Sequence, residues 1–173
     1  MNLPNKLTVI RIALVPVCLI LLALGFPIAA GAVFAIASIT DFVDGYLARK
    51  NNLVTNFGKF ADPIADKILT ASMMVLMAAK GLLPVWLPII VIIRELMVDG
   101  LRLIAVEKGT VVAAGMSGKI KTVLQMITII YACVFQNVLG LLLSIVSAAL
   151  TIYSGAEYFY HLRGLFMKDL GKK

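Results

Sequence analysis

Long apolar runs, broken at intervals by Gly, Pro and small clusters of charge, dominate this chain. A helix needs ~20 mostly apolar residues to cross a bilayer, and six stretches come close, at about 7–25, 28–49, 60–80, 84–106, 119–137 and 138–160. Gly25-Phe26-Pro27 and the segment from Gly81 to Pro84 supply short turns, where Gly and Pro end one helix and open the next. The apolar run through Leu150 is too long for one span, so it turns once, near Asn137. The pattern predicts an all-α integral membrane protein, a bundle of six transmembrane helices forming one domain over residues 1–173. No soluble domain, low-complexity tract or internal repeat is visible.

Composition supports lipid as the solvent. Of 173 residues, 61% are hydrophobic and 14% charged, and the mean hydropathy is +1.00. That leaves too little polar sequence to cover a water-soluble domain. The formal charge is +7. In a soluble chain this would point to nucleic acid; here the basic residues follow topology instead. Lys6 and Arg11 open the first span, and Arg49, Lys50 and Lys59 flank the loop after the second. Arg102, Lys108, Lys119 and Lys121 flank the loop after the fourth, and Arg163, Lys168, Lys172 and Lys173 follow the sixth. All fall on one side if there are six spans, and Lys80 alone falls on the other, so both termini are expected in the cytoplasm. The first span also mimics a secretory signal, with Ala23-Leu24-Gly25 resembling a cleavage site. Pro27 and the later spans that must pack against it favour an uncleaved helix. Cys18 and Cys133 lie in apolar runs without metal-ligand spacing and read as filler, and His161 reads as an interfacial side chain.

Carboxylates are expensive inside a membrane, so their positions carry information. Asp41 and Asp44 are three apart, and Asp62 and Asp66 four apart, so each pair projects from one face of its helix. The short link from Lys50 to Phe57 makes the two helices antiparallel neighbours with the pairs facing each other. Four carboxylates in one apolar pocket cannot all ionise unaided. Arg49, Lys59 and Lys67 relieve part of the repulsion. Hard divalent cations, Mg²⁺ or Mn²⁺, relieve it better and suit an oxygen-only site that also receives phosphate. Two such ions would hold a pyrophosphate between them. Gly45, Ala48 and Gly58 admit close approach by a ligand or by another helix. Asp62 also stands where it can cap a helix begun by Pro63.

A second polar group interrupts the fourth span. Arg94, Glu95, Asp99 and Arg102 can share one stripe at helical spacing. One reading is pairing within the helix, Glu95 with Arg94 and Asp99 with Arg102, which neutralises buried charge. The other joins the arginines to Lys59, Lys119 and Lys121 as a cationic set for a phosphorylated acceptor, since guanidinium matches phosphate oxygens in a fork geometry. Asp99, a negative charge beside an anion site, has no account in the second reading.

The run Asp41-x2-Asp44-Gly45-x2-Ala48-Arg49-x8-Gly58-x3-Asp62-x3-Asp66 resembles the signature of the CDP-alcohol phosphotransferase family, complete at every fixed position. The resemblance implies a six-helix, dimeric membrane enzyme with a cytoplasm-facing site, located in a bacterial inner membrane. It implies that Asp41, Asp44, Asp62 and Asp66 ligate two metal ions and that Asp66 is the base for the acceptor hydroxyl. On the CDP-lipid side it places Asp44, Gly45, Ala48, Arg49, Thr55 and Gly58, with Asn5, Thr8 and Arg11 shaping the nucleotide site. Asn5-x2-Thr8-x2-Arg11, Arg94-Glu95-Leu96 and Gly118-Lys119-x-Lys121-Thr122 are similar to the branch of the family whose acceptor is sn-glycerol 3-phosphate. That similarity implies CDP-diacylglycerol and glycerol 3-phosphate as substrates, the phosphate held by some of Lys59, Arg94, Arg102, Lys119 and Lys121. Inositol phosphate, serine and phosphatidylglycerol are the rival acceptors. A cation or phosphate transporter is the rival class, opposed by the placement of the carboxylates at one end of their helices rather than at the midplane.

Overall fold

The computed structural model describes the backbone of residues 3–50, 56–107, 109 and 115–170, and side chains within 8–40, 64–107 and 115–164. Six α-helices run in order: α1 Leu3–Ala23, α2 Pro27–Lys50, α3 Asn56–Ala79, α4 Trp86–Glu107, α5 Met116–Val134 and α6 Val138–Leu170. No strand occurs among the described residues.

The turns form where Gly and Pro predict them. At the end of α1, Gly25 N donates to Leu22 O (3.2 Å) and Phe26 N to Leu21 O (3.0 Å), with Gly25 at φ 88°. The end of α3 repeats the motif, with Gly81 N to Ala78 O (3.1 Å), Leu82 N to Met77 O (2.9 Å) and Gly81 at φ 74°. Each is a Schellman cap, whose left-handed residue only Gly adopts without penalty. Lys80 Nζ donates to the terminal carbonyl of α1, Ala23 O, at 2.9 Å, tying the two caps together at one end of the bundle. The expected break near Asn137 is present. Asn137 Oδ1 accepts from Gly140 N (3.2 Å) and from Tyr131 Oη (3.0 Å), capping α6 and holding it to α5.

Helix α1 packs on α2 and α3, α4 on α6, and α5 on α6 and α2. Phe34, Leu22, Met73, Met74, Met77 and Ile129 fill the common core without exposure. At Gly31 an added Cβ would stand 2.8 Å from Cys133 Cβ, so α2 and α5 approach as closely as backbones with small side chains allow. Cys18 and Cys133 are buried free thiols, and His161 is exposed, 4.0 Å from Glu157.

The outer surface carries large apolar side chains on every helix, among them Ile20, Ile39, Val75, Leu103, Ile127 and Ile152. By length and composition α6, over Val138–Gly164, is the one helix among the described residues that would cross a bilayer unaided. Apolar stretches in α1 and α2, Thr8–Ala23 and Pro27–Thr40, are shorter. In α4 the apolar pattern is interrupted by Arg94, Glu95, Asp99 and Arg102.

Candidate active site

The C-terminal part of α2 carries Asp41, Asp44, Gly45, Ala48 and Arg49 on continuous helix, and α3 carries Gly58, Lys59, Asp62 and Asp66 on another. The spacings of three and four residues therefore act as helical spacings, and one face of each helix holds its pair. The side chains of these residues other than Asp66, and that of Asn5 on α1, lie outside the described residues, as does Thr55 entirely. One local expectation is overturned. Helix α3 already begins at Asn56, so Asp62 is an interior residue and not the cap of a helix begun by Pro63.

Asp66 is half-buried. On α1, Thr8 and Arg11 sit one turn apart, turn inward and are buried, with 1% and 3% exposure. An arginine enclosed in this way needs acceptors or an anion to offset its desolvation.

Near Asp66 lies an ion cluster built from three helices, buried at Lys121 and open to solvent at Lys67 and Asp99. Glu95 of α4 is its hub. Its Oε1 accepts from Arg94 Nη1 at 3.0 Å and from Lys121 Nζ of α5, and its Oε2 lies 3.5 Å from Lys67 Nζ of α3. Lys67 also donates to Asp99 Oδ1. Lys121 is 4% exposed, and the Asp66 carboxylate lies within its electrostatic reach. Among the described residues three cations thus share Glu95 and Asp99, and Asp66 of the aspartate signature is a third carboxylate within reach of Lys121. Arg94 threads between helices: an added Cβ on Gly155 of α6 would lie 3.1 Å from Arg94 Cγ, and one on Gly118 3.8 Å from its Nη2. Arg94 Nε is buried with no hydrogen-bond partner among the described residues.

Of the residues expected to hold an acceptor phosphate, the structure brings Arg94 and Lys121 together. Arg102 stands apart, its Nε donating to Tyr158 Oη at 3.1 Å and its guanidinium 5.4 Å from that ring. Lys119 is exposed, because a residue two before Lys121 faces another way on the same helix. Lys59 lies among the residues whose side chains are not described. Within α4, Glu95 does pair with Arg94, whereas Asp99 and Arg102 find partners on other helices. Lys67, expected to relieve repulsion among the aspartates, is instead held by Glu95 and Asp99, and Gly155 and Tyr158 are the participants that spacing along the chain did not single out.

For a metal ion, the donor chemistry fits. Asp66 projects one helical turn after Asp62, and aspartates spaced in this way are hard oxygen donors suited to Mg²⁺ or Mn²⁺. Among the described residues no group of three or more such donors occurs.

A family model described as CDP-alcohol phosphatidyltransferase matches residues 1–153. The chain belongs to this family. Its relatives include a Bacillus subtilis protein named CDP-diacylglycerol–glycerol-3-phosphate 3-phosphatidyltransferase, 45% identical, with 91% of this chain and 93% of the relative covered. A Rickettsia bellii protein of the same name is 38% identical over 91% of this chain and 93% of its own length. A Mycobacterium tuberculosis protein named probable phosphatidylglycerophosphate synthase is 39% identical over 91% of this chain and 79% of its own length.

Proposed function

We propose that this chain is a phosphatidylglycerophosphate synthase: it transfers the phosphatidyl group of CDP-diacylglycerol to sn-glycerol 3-phosphate and releases CMP. The observation that carries the reading is that Asp66 lies within electrostatic reach of buried Lys121, whose partner Glu95 also holds Arg94 and Lys67. A carboxylate able to take a proton stands within electrostatic reach of a buried cation. That is what a reaction needs when its nucleophile is a hydroxyl on a phosphorylated molecule. The names of the relatives support the same substrates.

Arg94 and Lys121 bind the acceptor phosphate, with Arg102, Lys59 and Lys119 at its approach. Their hold turns the acceptor's hydroxyl toward Asp66, which removes the proton as oxygen bonds to the phosphorus attached to diacylglycerol. The bond from that phosphorus to the pyrophosphate bridging oxygen breaks, and CMP leaves with the electron pair. Asp41, Asp44, Asp62 and Asp66 hold two divalent ions, Mg²⁺ or Mn²⁺, which when bound neutralise charge on the pyrophosphate and the leaving group. Asn5, Thr8, Arg11, Gly45, Ala48, Arg49, Thr55 and Gly58 surround the CDP-lipid.

The reading extends to the setting. The chain is one domain of six membrane spans with both termini in the cytoplasm, it works as a homodimer, and it lies in the inner membrane with its site facing the cytoplasm. Apolar outward faces support the membrane setting. The test is CMP release by purified protein with CDP-diacylglycerol and Mg²⁺, offering glycerol 3-phosphate, serine, inositol phosphate or phosphatidylglycerol in turn. Release with glycerol 3-phosphate alone is expected; release with another acceptor instead overturns the acceptor assignment.

A further inference from the structure

We propose that α6 is the positioning element of the acceptor site. Gly155 admits the stem of Arg94, Tyr158 orients the guanidinium of Arg102, and acceptor affinity depends on both although neither touches substrate. The proposal rests on reading Arg94 as an acceptor-phosphate ligand and Arg102 as a cation at the phosphate's approach. It concerns residues beyond the family match, which ends at residue 153.

Arg94 is confined between helices. Its side chain is 12% exposed and leaves α4 into a slot bounded by Gly155 of α6 and Gly118 at the start of α5. A Cβ at Gly155 would come to 3.1 Å from Arg94 Cγ and 3.9 Å from Nε. That is tighter than ordinary van der Waals contact, so the arginine stem would have to move by a few tenths of an ångström. The guanidinium it carries is already tethered at one nitrogen, Nη1 on Glu95 at 3.0 Å. Moving the stem therefore rotates the buried Nε, the donor without a partner among the described residues, instead of carrying the whole fork along. Loss of alignment in a bidentate anion site weakens it out of proportion to the displacement.

Tyr158 lies three residues further along α6, on the same face as Gly155. It is 8% exposed, whereas Tyr153 and Tyr160 on the same helix are 60% and 59% exposed. Its hydroxyl accepts from Arg102 Nε at 3.1 Å, and its ring lies beneath that guanidinium at 5.4 Å. With Nε engaged, the two terminal nitrogens of Arg102 are presented as a pair. One face of α6 thus handles both arginines of α4, by absence of a side chain at one position and by a hydroxyl at the other.

The test uses the purified full chain in detergent micelles, with CMP release giving kcat and separate KM values for glycerol 3-phosphate and CDP-diacylglycerol, alongside thermal unfolding. Gly155→Ala and Tyr158→Phe are each expected to raise the acceptor KM about three- to tenfold, with the CDP-diacylglycerol KM unchanged within about twofold. Ala is the better helix former, so Gly155→Ala should unfold no earlier than the parent. An acceptor effect without lost stability is what a purely structural role would not produce. Tyr158→Phe keeps the ring and removes only the hydroxyl, so it decides the matter alone if Gly155→Ala does not fold. Arg94→Gln is the companion variant. If it raises the acceptor KM while Gly155→Ala and Tyr158→Phe do not, the positioning role of α6 is overturned and the acceptor site stands. If Arg94→Gln leaves the acceptor KM unchanged, the acceptor-site reading falls and takes the proposal with it.

Discussion

Glu95→Gln is the most informative single change in the interior, because one carboxylate serves cations from three helices. Glu95 is 18% exposed, and its partners Lys121 and Arg94 are 4% and 12% exposed. Removing one charge while keeping the shape leaves Lys121 without its counter-ion in a place water barely reaches. Breaking an enclosed pair from one side costs about 3–5 kcal/mol. The lower end applies here, since Gln still accepts one hydrogen bond and Lys67 keeps Asp99. A loss of about 3 kcal/mol in a chain of this size lowers the Tm by about 6–12 °C. Lys121→Met should cost less, about 1–2 kcal/mol, because Glu95 then retains Arg94 and Lys67. Since the Glu95→Gln penalty is largely the stranding of Lys121, the double variant should be less destabilised than the sum of the two, by about 1–3 kcal/mol. Thermal unfolding of the four proteins in one detergent measures the cycle. Additivity within about 0.5 kcal/mol, or a Glu95→Gln protein melting within about 2 °C of the parent, would refute the hub.

Other consequences are as direct. Asp66→Asn should abolish turnover and leave CDP-diacylglycerol binding largely intact, as measured by CMP release beside equilibrium binding of the lipid; equal loss of both would count against the base role. Arg102→Ala should raise the KM for glycerol 3-phosphate more than that for CDP-diacylglycerol, and the opposite order would move Arg102 out of the acceptor site. Gly31→Ala drives a methyl to 2.8 Å from Cys133 Cβ and should destabilise by about 1–3 kcal/mol in thermal unfolding. In a Cys133→Gly background, whose own cost is measured separately, Gly31→Ala should cost less than in the parent; an equal cost in both would mean the α2–α5 contact is not the cause.

Much of the architecture was legible along the chain because its punctuation is local. Gly25-Phe26-Pro27, Gly81 to Pro84 and Asn137 mark helix ends through caps that involve only neighbouring residues, and α1, α2, α4 and the break before α6 lie within a few residues of expectation. Helix α3 starts earlier than its apolar run, at Asn56, because the signature segment itself is helical, and α6 continues to Leu170, past its last apolar stretch. The aspartate pairs and the basic set could be read from spacing and charge. Their partners could not. Asp99 seemed out of place beside an anion site until α3 set Lys67 against it, a pairing fixed by the register of two helices and by nothing in either sequence. Tyr158 is indistinguishable from Tyr153 and Tyr160 by local sequence, and only the packing of α6 on α4 turns it inward. Gly155 matters through what an absent side chain admits, which no residue pattern records.

The most direct test of the central claim follows the acceptor's own phosphate. Purified protein is given CDP-diacylglycerol, Mg²⁺ and glycerol 3-phosphate labelled in its phosphate, and label entering the lipid phase is counted against CMP released. The account predicts one labelled phosphate in lipid for each CMP, abolished by chelation and by Asp66→Asn. CMP release with the label left in water, or no release from folded protein, would contradict it.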